Sequence, residues 1–242
     1  MTKAAVILAA GNGTRMNAPV AKQFMELMGI PVFLHSVRAF DRFADKIVLV
    51  TSPGAVKYCR GILENESLKA EVLVIEGKNE RWLSSREGVK VASDCDIIMI
   101  HDAARACVSS DVIAASIEKA KQHGSGIASV PAKDTIKIAD EKGMVISTPD
   151  RRTLRIIQTP QTFKSELICK AYENLSYIIE KEGEKAAGVI TDDAMVVECF
   201  TDNKVWLSEG SYENIKVTTP EDLPAVIDIL KRRKQQKITK GD

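Results

Sequence analysis

This chain is short of the residues that most often carry metal or nucleophilic chemistry. It has 3 histidines and 5 cysteines in 242 residues. The histidines show no zinc-ligand spacing, and Cys59, Cys95, Cys107, Cys169 and Cys199 form no C-x-x-C pair. That pattern argues against a transition-metal centre and a thiol nucleophile, and fits reduced thiols in the cytoplasm. Charge of one sign is lacking too. The 34 Lys and Arg against 33 Asp and Glu leave a net charge of +1, without the basic excess of a general nucleic-acid binder. No apolar run approaches the roughly 20 residues that span a bilayer. Met1-Thr2-Lys3 leads straight into a strand pattern, so no signal peptide is expected. Two nucleotide motifs are also missing. The P-loop needs G-K-[S/T], which is absent. The dinucleotide fingerprint needs a small residue where Met16 stands, and an acidic residue after the strand Ile47–Thr51.

What the chain does have is a glycine loop behind its first buried strand. Ala4–Leu8 is a short apolar run, followed at once by Ala9-Ala10-Gly11-Asn12-Gly13-Thr14-Arg15. Gly11 and Gly13 let the backbone turn tightly and approach a ligand. N–H groups exposed in such a loop make an anion-binding concavity. Arg15 and Lys22 add two cations beside it, an arrangement suited to a polyphosphate.

Strand patterns recur at Lys46–Thr51, Ala70–Ile75, Asp96–Ile100, Gly126–Val130 and Val205–Gly210. Helical spacing falls between them, over Pro31–Phe40, from the turn Ser52-Pro53-Gly54 to about Asn65, over Ser110–His123 and over Lys164–Leu175. The alternation predicts an α/β protein: one domain, 1–242, with a Rossmann-like, mostly parallel sheet flanked by helices. Asp102 follows the fourth strand directly, in the crevice where such sheets bind ligands. There it is placed to hold magnesium beside a triphosphate or, structurally, to cap the next helix. Residues 131–150 alternate around Asp140–Gly143, which predicts an exposed β-hairpin whose edges need cover. Glu180–Glu184 reads as a charged loop, and 231–242 as a frayed basic tail.

The motif LAAGNGTRM followed by KQF resembles the signature of the sugar-phosphate nucleotidyltransferases. Gly77-Lys78-Asn79-Glu80-Arg81-Trp82-Leu83-Ser84, His101-Asp102-Ala103-Ala104-Arg105, Gln158–Phe163, Thr191-Asp192-Asp193-Ala194 and Glu213–Thr218 narrow the resemblance to the polyol-phosphate cytidylyltransferases. It runs from Ala4 to about Leu230. The resemblance implies that Ala9, Ala10, Gly11, Asn12, Gly13 and Thr14 hold the triphosphate of CTP. Gly77, Asn79 and Ser84 would cradle cytosine and ribose, with Lys78 replacing a usual glycine. It further implies Mg²⁺ on Asp102, catalytic cations at Arg15, Lys22, Arg151 and Lys216, and substrate contacts at Thr159, Thr191 and Glu213. Arg152 is the alternative to Arg151. In such enzymes the hairpin interlocks two subunits, so a homodimer is expected, with Arg151 reaching the neighbour's substrate phosphate. Ala106 and Arg155 depart from the family's usual proline and tryptophan. LAAG and the paired aspartates favour 2-C-methyl-D-erythritol 4-phosphate as the acceptor; ribitol 5-phosphate is the alternative.

No Ser-His-Asp or Cys-His set is evident, and this chemistry needs none. The attacking phosphate oxygen is already an anion at neutral pH. Positioning and fixed positive charge are then the expected means of catalysis.

Overall fold

The structure is a computed structural model and describes residues 1–11, 22–183, 185 and 188–240. It opens on β1 (Lys3–Ala9), whose residues alternate between two apolar layers. Ala5, Ile7 and Ala9 enter one core cluster, Ala4 and Val6 the other. A strand apolar on both faces belongs inside a sheet covered on both sides. β2 (Glu26–Leu27) and β3 (Ile30–Pro31) make a small antiparallel ribbon, and α1 (Val32–Phe40) buries Phe33, Leu34, Val37 and Phe40 in the first layer. β4 (Lys46–Thr51), α2 (Val56–Leu63) and β5 (Glu71–Glu76) extend the sheet in parallel on one side of β1. α3 (Arg81–Val91) then carries the chain back, and β6 (Ile97–Asp102) pairs in parallel with the other side of β1. That reversal creates a switch point between β1 and β6, with a crevice beyond their carboxyl ends.

α4 (Ser110–His123) and β7 (Ser125–Pro131) come next. β8 (Ile138–Ala139) and β9 (Val145–Ser147) pair antiparallel as a short exposed hairpin. The chain finishes with β10 (Arg155–Lys164), α5 (Ser165–Glu182), α6 (Asp193–Phe200), β11 (Leu207–Glu209) and α7 (Asp222–Lys240). The seven-stranded order is β11-β7-β10-β6-β1-β4-β5. β10 runs antiparallel to both neighbours, and the other ladders are parallel. Among the described residues no helix is long and apolar enough to cross a membrane.

Three elements differ from the sequence expectation. β10 occupies a stretch with no strand signal, because Pro160 sits in its middle and proline argues against an interior strand. The strand accommodates it at a register shift between Ile157 and Gln161, where the Thr159–Pro160 peptide is cis. α5 continues through the expected loop at 180–182, since Ile179 still packs on the core, and stops at Gly183 with φ 82°. α7 runs through the basic stretch to Lys240. Its Arg232 and Arg233 find a carboxylate partner in Glu213, at 3.1 and 2.8 Å.

Candidate active site

Ala9, Ala10 and Gly11 leave the end of β1 and line a cleft of about 240 Å³ at the switch point. The opposite wall is the turn between β5 and α3. Gly77 opens that turn, its N–H donating to the Thr51 carbonyl at 2.7 Å. A Cβ there would lie 2.4 Å from Ala10 Cβ and 2.9 Å from Ser84 Oγ. The two walls meet this closely only because residue 77 has no side chain. Lys78 and Asn79 line the cleft. Ser84 Oγ accepts from the Lys78 N–H at 2.9 Å and lies 3.1 Å from the Lys78 carbonyl, so it fastens the turn. Buried Gln23 donates from Nε2 to the Gly11 carbonyl at 2.9 Å, which anchors the loop side.

The floor of the cleft is a row of alternating charges. Asp102, the last residue of β6, receives Lys216 Nζ on one oxygen at 2.6 Å and Arg81 Nε on the other at 3.0 Å. Arg81 in turn donates from Nη1 to Asp193 at 2.8 Å. Burial alone would raise the Asp102 pKa, but Arg81 and Lys216 hold it well below the usual carboxylate range. Asp102 is therefore an anion at any physiological pH. Burial pushes neighbouring His101 down to about 3, so it stays neutral.

Other residues set this floor from behind. Thr159 Oγ1, on β10, accepts from the Asp102 N–H at 3.1 Å and lies 3.0 Å from His101 Nδ1. Asn214 Nδ2 donates to the Thr159 carbonyl at 2.8 Å, and Arg105 donates to the Asn214 carbonyl at 2.7 Å. These bonds fix the segment that delivers Lys216. Val217 ties the same segment to α7 by packing with Val226 and Ile229.

The fold thus gathers Ala9, Ala10, Gly11, Gly77, Asn79, Ser84, Asp102 and Lys216 around one cleft. Asn12, Gly13, Thr14, Arg15 and the Lys22 side chain lie outside the described residues. Other expected contacts are turned elsewhere. Thr159 is buried with its hydroxyl engaged below Asp102, so it supports the floor and does not face a substrate. Glu213 directs both oxygens to Arg232 and Arg233, the two cations α7 presents to it. Thr191 lies exposed before α6, its hydroxyl 3.6 Å from Met195 Sδ. Of the paired aspartates, Asp192 caps α6 by accepting from the Met195 N–H at 2.9 Å, and Asp193 turns into the core. Arg151 is exposed near the hairpin and donates to the Lys133 carbonyl at 2.7 Å, away from this cleft. The sequence reading gave no role to Arg81 or Gln23, and used Asp193 only as one of the paired aspartates that favour the acceptor. Arg81 and Asp193 lay inside quoted motifs, but 112 positions apart, and only the fold shows them as a pair.

Among the described residues no group of three or more His, Cys, Asp or Glu side chains could hold a metal ion. Asp102 is a single ionised oxygen donor beside a phosphate-sized cleft. That suits Mg²⁺, which takes one or two carboxylates and completes its shell with phosphate oxygens and water.

Comparison with known proteins agrees with this geometry. The family model described as IspD, 2-C-methyl-D-erythritol 4-phosphate cytidylyltransferase, matches residues 3–232. A relative of that name from Clostridium botulinum (strain Loch Maree / Type A3) is 41% identical over 221 residues, covering 90% of this chain and 93% of its own. Another, from Caldanaerobacter subterraneus subsp. tengcongensis, is 41% identical over 227 residues, covering 92% and 96%. The crystal structure of 4-diphosphocytidyl-2C-methyl-D-erythritol synthase from Anaerococcus prevotii DSM 20548 superposes with TM-score 0.80 at 29% identity, over 95% of this chain and 98% of that one. The enzyme from Thermus thermophilus gives 0.73 at 27% identity, over 96% and 100%. With the match extending from β1 through most of α7, the chain belongs to the 2-C-methyl-D-erythritol 4-phosphate cytidylyltransferase family.

Proposed function

We propose that this chain transfers the cytidylyl group of CTP to 2-C-methyl-D-erythritol 4-phosphate in isoprenoid precursor synthesis. A phosphate oxygen of the polyol bonds to the α-phosphorus of CTP. The bond from that phosphorus to the oxygen bridging the β-phosphate breaks, and pyrophosphate leaves. The products are pyrophosphate and 4-diphosphocytidyl-2-C-methyl-D-erythritol. The observation that carries this reading is the placement of Lys216 and Asp102, 2.6 Å apart, where Ala9–Gly11 and the Gly77–Ser84 turn face each other.

The roles follow from charge. The backbone from Ala9 to Thr14 cradles the triphosphate, and Arg15 and Lys22 stabilise the leaving pyrophosphate. Gly77, Asn79 and Ser84 shape the cytosine and ribose wall. Lys216 holds the attacking phosphate in line. Asp102 holds Mg²⁺, which neutralises phosphate charge when bound. Neutral His101 takes no part in proton transfer, and the anionic nucleophile requires none.

The active unit in this reading is a homodimer. Ile138, Met144, Val145 and Ile146 of the hairpin are all exposed, as is Ile156 at the start of β10. An apolar hairpin of this kind is stable when a partner covers it. Arg151 stands at the base of the hairpin and would serve the partner's substrate phosphate. All five cysteines are free, in keeping with a cytoplasmic enzyme.

The test is Mg²⁺-dependent pyrophosphate release from CTP, with 2-C-methyl-D-erythritol 4-phosphate and ribitol 5-phosphate run in parallel. Turnover with the first substrate is expected. Absence of turnover, or preference for ribitol 5-phosphate, would overturn the assignment. Sedimentation should give a mass twice that of the chain, and a monomer would refute the dimer.

A further inference from the structure

We propose that Asp193 is a positioning residue: it holds the Arg81 guanidinium between two carboxylates, so that Arg81 takes only one Asp102 oxygen and the other, paired with Lys216 here, stays clear of the fork and able to pass to a divalent cation. The inference rests on the functional reading above and extends it to a residue that does not line the cleft.

A guanidinium is a rigid fork that favours two parallel bonds to one carboxylate. Arg81 does not make them. Its Nε meets Asp102 at 3.0 Å, while Nη1 meets Asp193 at 2.8 Å. Asp193 is fully buried at the start of α6. Its other oxygen is fixed by the hydroxyls of Ser85 on α3 and Tyr172 on α5, the latter at 2.7 Å. Three helices therefore converge on one carboxylate. Burying such an anion is costly without full pairing, and here every partner is supplied. Burial, with the Asp193 charge, pushes the Tyr172 phenol up, so it remains a donor.

The consequence lies at Asp102. With Asp193 in place, part of the Arg81 charge is directed away from the cleft. Without it, the fork is free to swing onto both Asp102 oxygens, displacing Lys216 from the second, and close over the carboxylate that faces the phosphates. Outer partners of metal-binding groups act in this way, and their loss costs about ten- to a hundredfold in metal affinity.

The experiment uses full-length protein carrying Asp193→Asn, and separately Tyr172→Phe, which leaves the carboxylate but removes one of its donors. CTP binding is measured by calorimetry in EDTA. Mn²⁺ binding to the CTP-loaded protein, with no polyol present, is followed by electron paramagnetic resonance. For Asp193→Asn, CTP affinity in EDTA should stay within about twofold, while Mn²⁺ affinity falls about ten- to a hundredfold. Tyr172→Phe should shift Mn²⁺ affinity in the same direction by about threefold, and it carries the test if Asp193→Asn does not fold. Equal Mn²⁺ affinity in the variants and the parent would overturn the inference. So would an equal loss of CTP affinity in EDTA, which marks simple structural damage, or a parent that binds no Mn²⁺. A parent that binds Mn²⁺ and CTP yet releases no pyrophosphate would instead overturn the functional reading.

Discussion

Replacing Gly77 with alanine puts one carbon where the two walls of the cleft meet. The added Cβ would stand 2.4 Å from Ala10 Cβ, 2.9 Å from Ser84 Oγ and 3.2 Å from Val50 Cγ1. Carbon atoms rest about 3.5–4.0 Å apart, so the first contact is short by about 1 Å. Neither neighbour can rotate away. Ala10 has no rotamer to change, and Ser84 Oγ is held at the Lys78 backbone. Relief must come from moving the glycine loop and the Gly77–Ser84 turn apart. Overpacking of this kind costs about 1–3 kcal/mol, or about 2–4 °C in Tm per kcal/mol at this chain length. Because both displaced surfaces line the cleft, kcat/KM for CTP should fall as well, by up to about a hundredfold for a shift near 1 Å. Gly88→Ala is the control. Its Cβ would meet Val6 Cγ1 at 2.3 Å and Val50 Cγ2 at 3.0 Å, in the core under α3 and not in the cleft. Thermal unfolding and pyrophosphate release across a range of CTP would separate the two. Gly88→Ala should lose stability and keep its KM for CTP; Gly77→Ala should lose both. A Gly77→Ala protein with lowered Tm but unchanged KM would refute the argument that this close approach shapes the nucleotide wall.

Lys216→Met should lower kcat for pyrophosphate release by about a hundred- to a thousandfold, the usual cost of losing one charge-stabilising donor. The same change removes a cation that, with Arg81 and Arg105, holds Asp102 down. A carboxylate with a depressed folded pKa stabilises above its unfolded value and loses that contribution as pH falls. Lys216→Met should therefore shift the acid-unfolding midpoint to higher pH, read by circular dichroism; an unchanged midpoint would contradict the pairing. His101 gives a second pH signature. It is held neutral at about 3 in the fold but takes a proton near 6.5 when unfolded, so stability should fall by about 1.4 kcal/mol per pH unit between about 6.5 and 3. Urea unfolding at pH 7 and pH 5 checks this, and His101→Gln should flatten the slope. Glu213→Gln should leave kcat and KM within about twofold, because the carboxylate faces Arg232 and Arg233. A large rise in the KM for the polyol phosphate would return Glu213 to the substrate side.

The parallel half of the fold was legible because its strands are apolar on both faces and punctuated by glycine and proline. β1, β4, β5 and β6 fall within a residue or two of their sequence patterns. That was enough to place Asp102 at a strand end in the crevice. The antiparallel strand β10 was hidden for a local reason: Pro160 and the polar run Gln158–Thr162 suppress a strand reading, while the neighbours that make it a strand are β6 and β7. The site divides along the same line. The place of a residue at a strand end follows from local pattern, as with Asp102 at the end of β6, whereas Gly77 was singled out only through the resemblance. Roles set by pairing do not follow from local pattern. Thr159 came with the resemblance at Gln158–Phe163 as a substrate contact; the fold turns its hydroxyl under Asp102. Glu213 came with the resemblance as a substrate contact, but α7 brings two arginines to it from 19 and 20 positions away.

The charge row also bears on how such a site works without an acid or a base. Lys216, Asp102, Arg81 and Asp193 alternate in sign, so the buried floor is close to neutral before any substrate arrives. Exposure differs between its two ends, with Arg81 in between at 28%. The Lys216 side chain is 37% exposed, Asp102 10% and Asp193 0%. The inner end is therefore fixed by Ser85 and Tyr172, and the outer cation is the member with freedom to exchange partners. In the proposed mechanism a phosphate entering the cleft takes Lys216 over from Asp102, while the inner part of the floor stays fixed as charge moves from the attacking oxygen to the leaving group. Pre-set dipoles and charges are worth most where water is excluded and reorganisation is small. On that argument the inner anion matters as much as the outer cation: it is what lets a guanidinium lie beside Asp102 without closing over it.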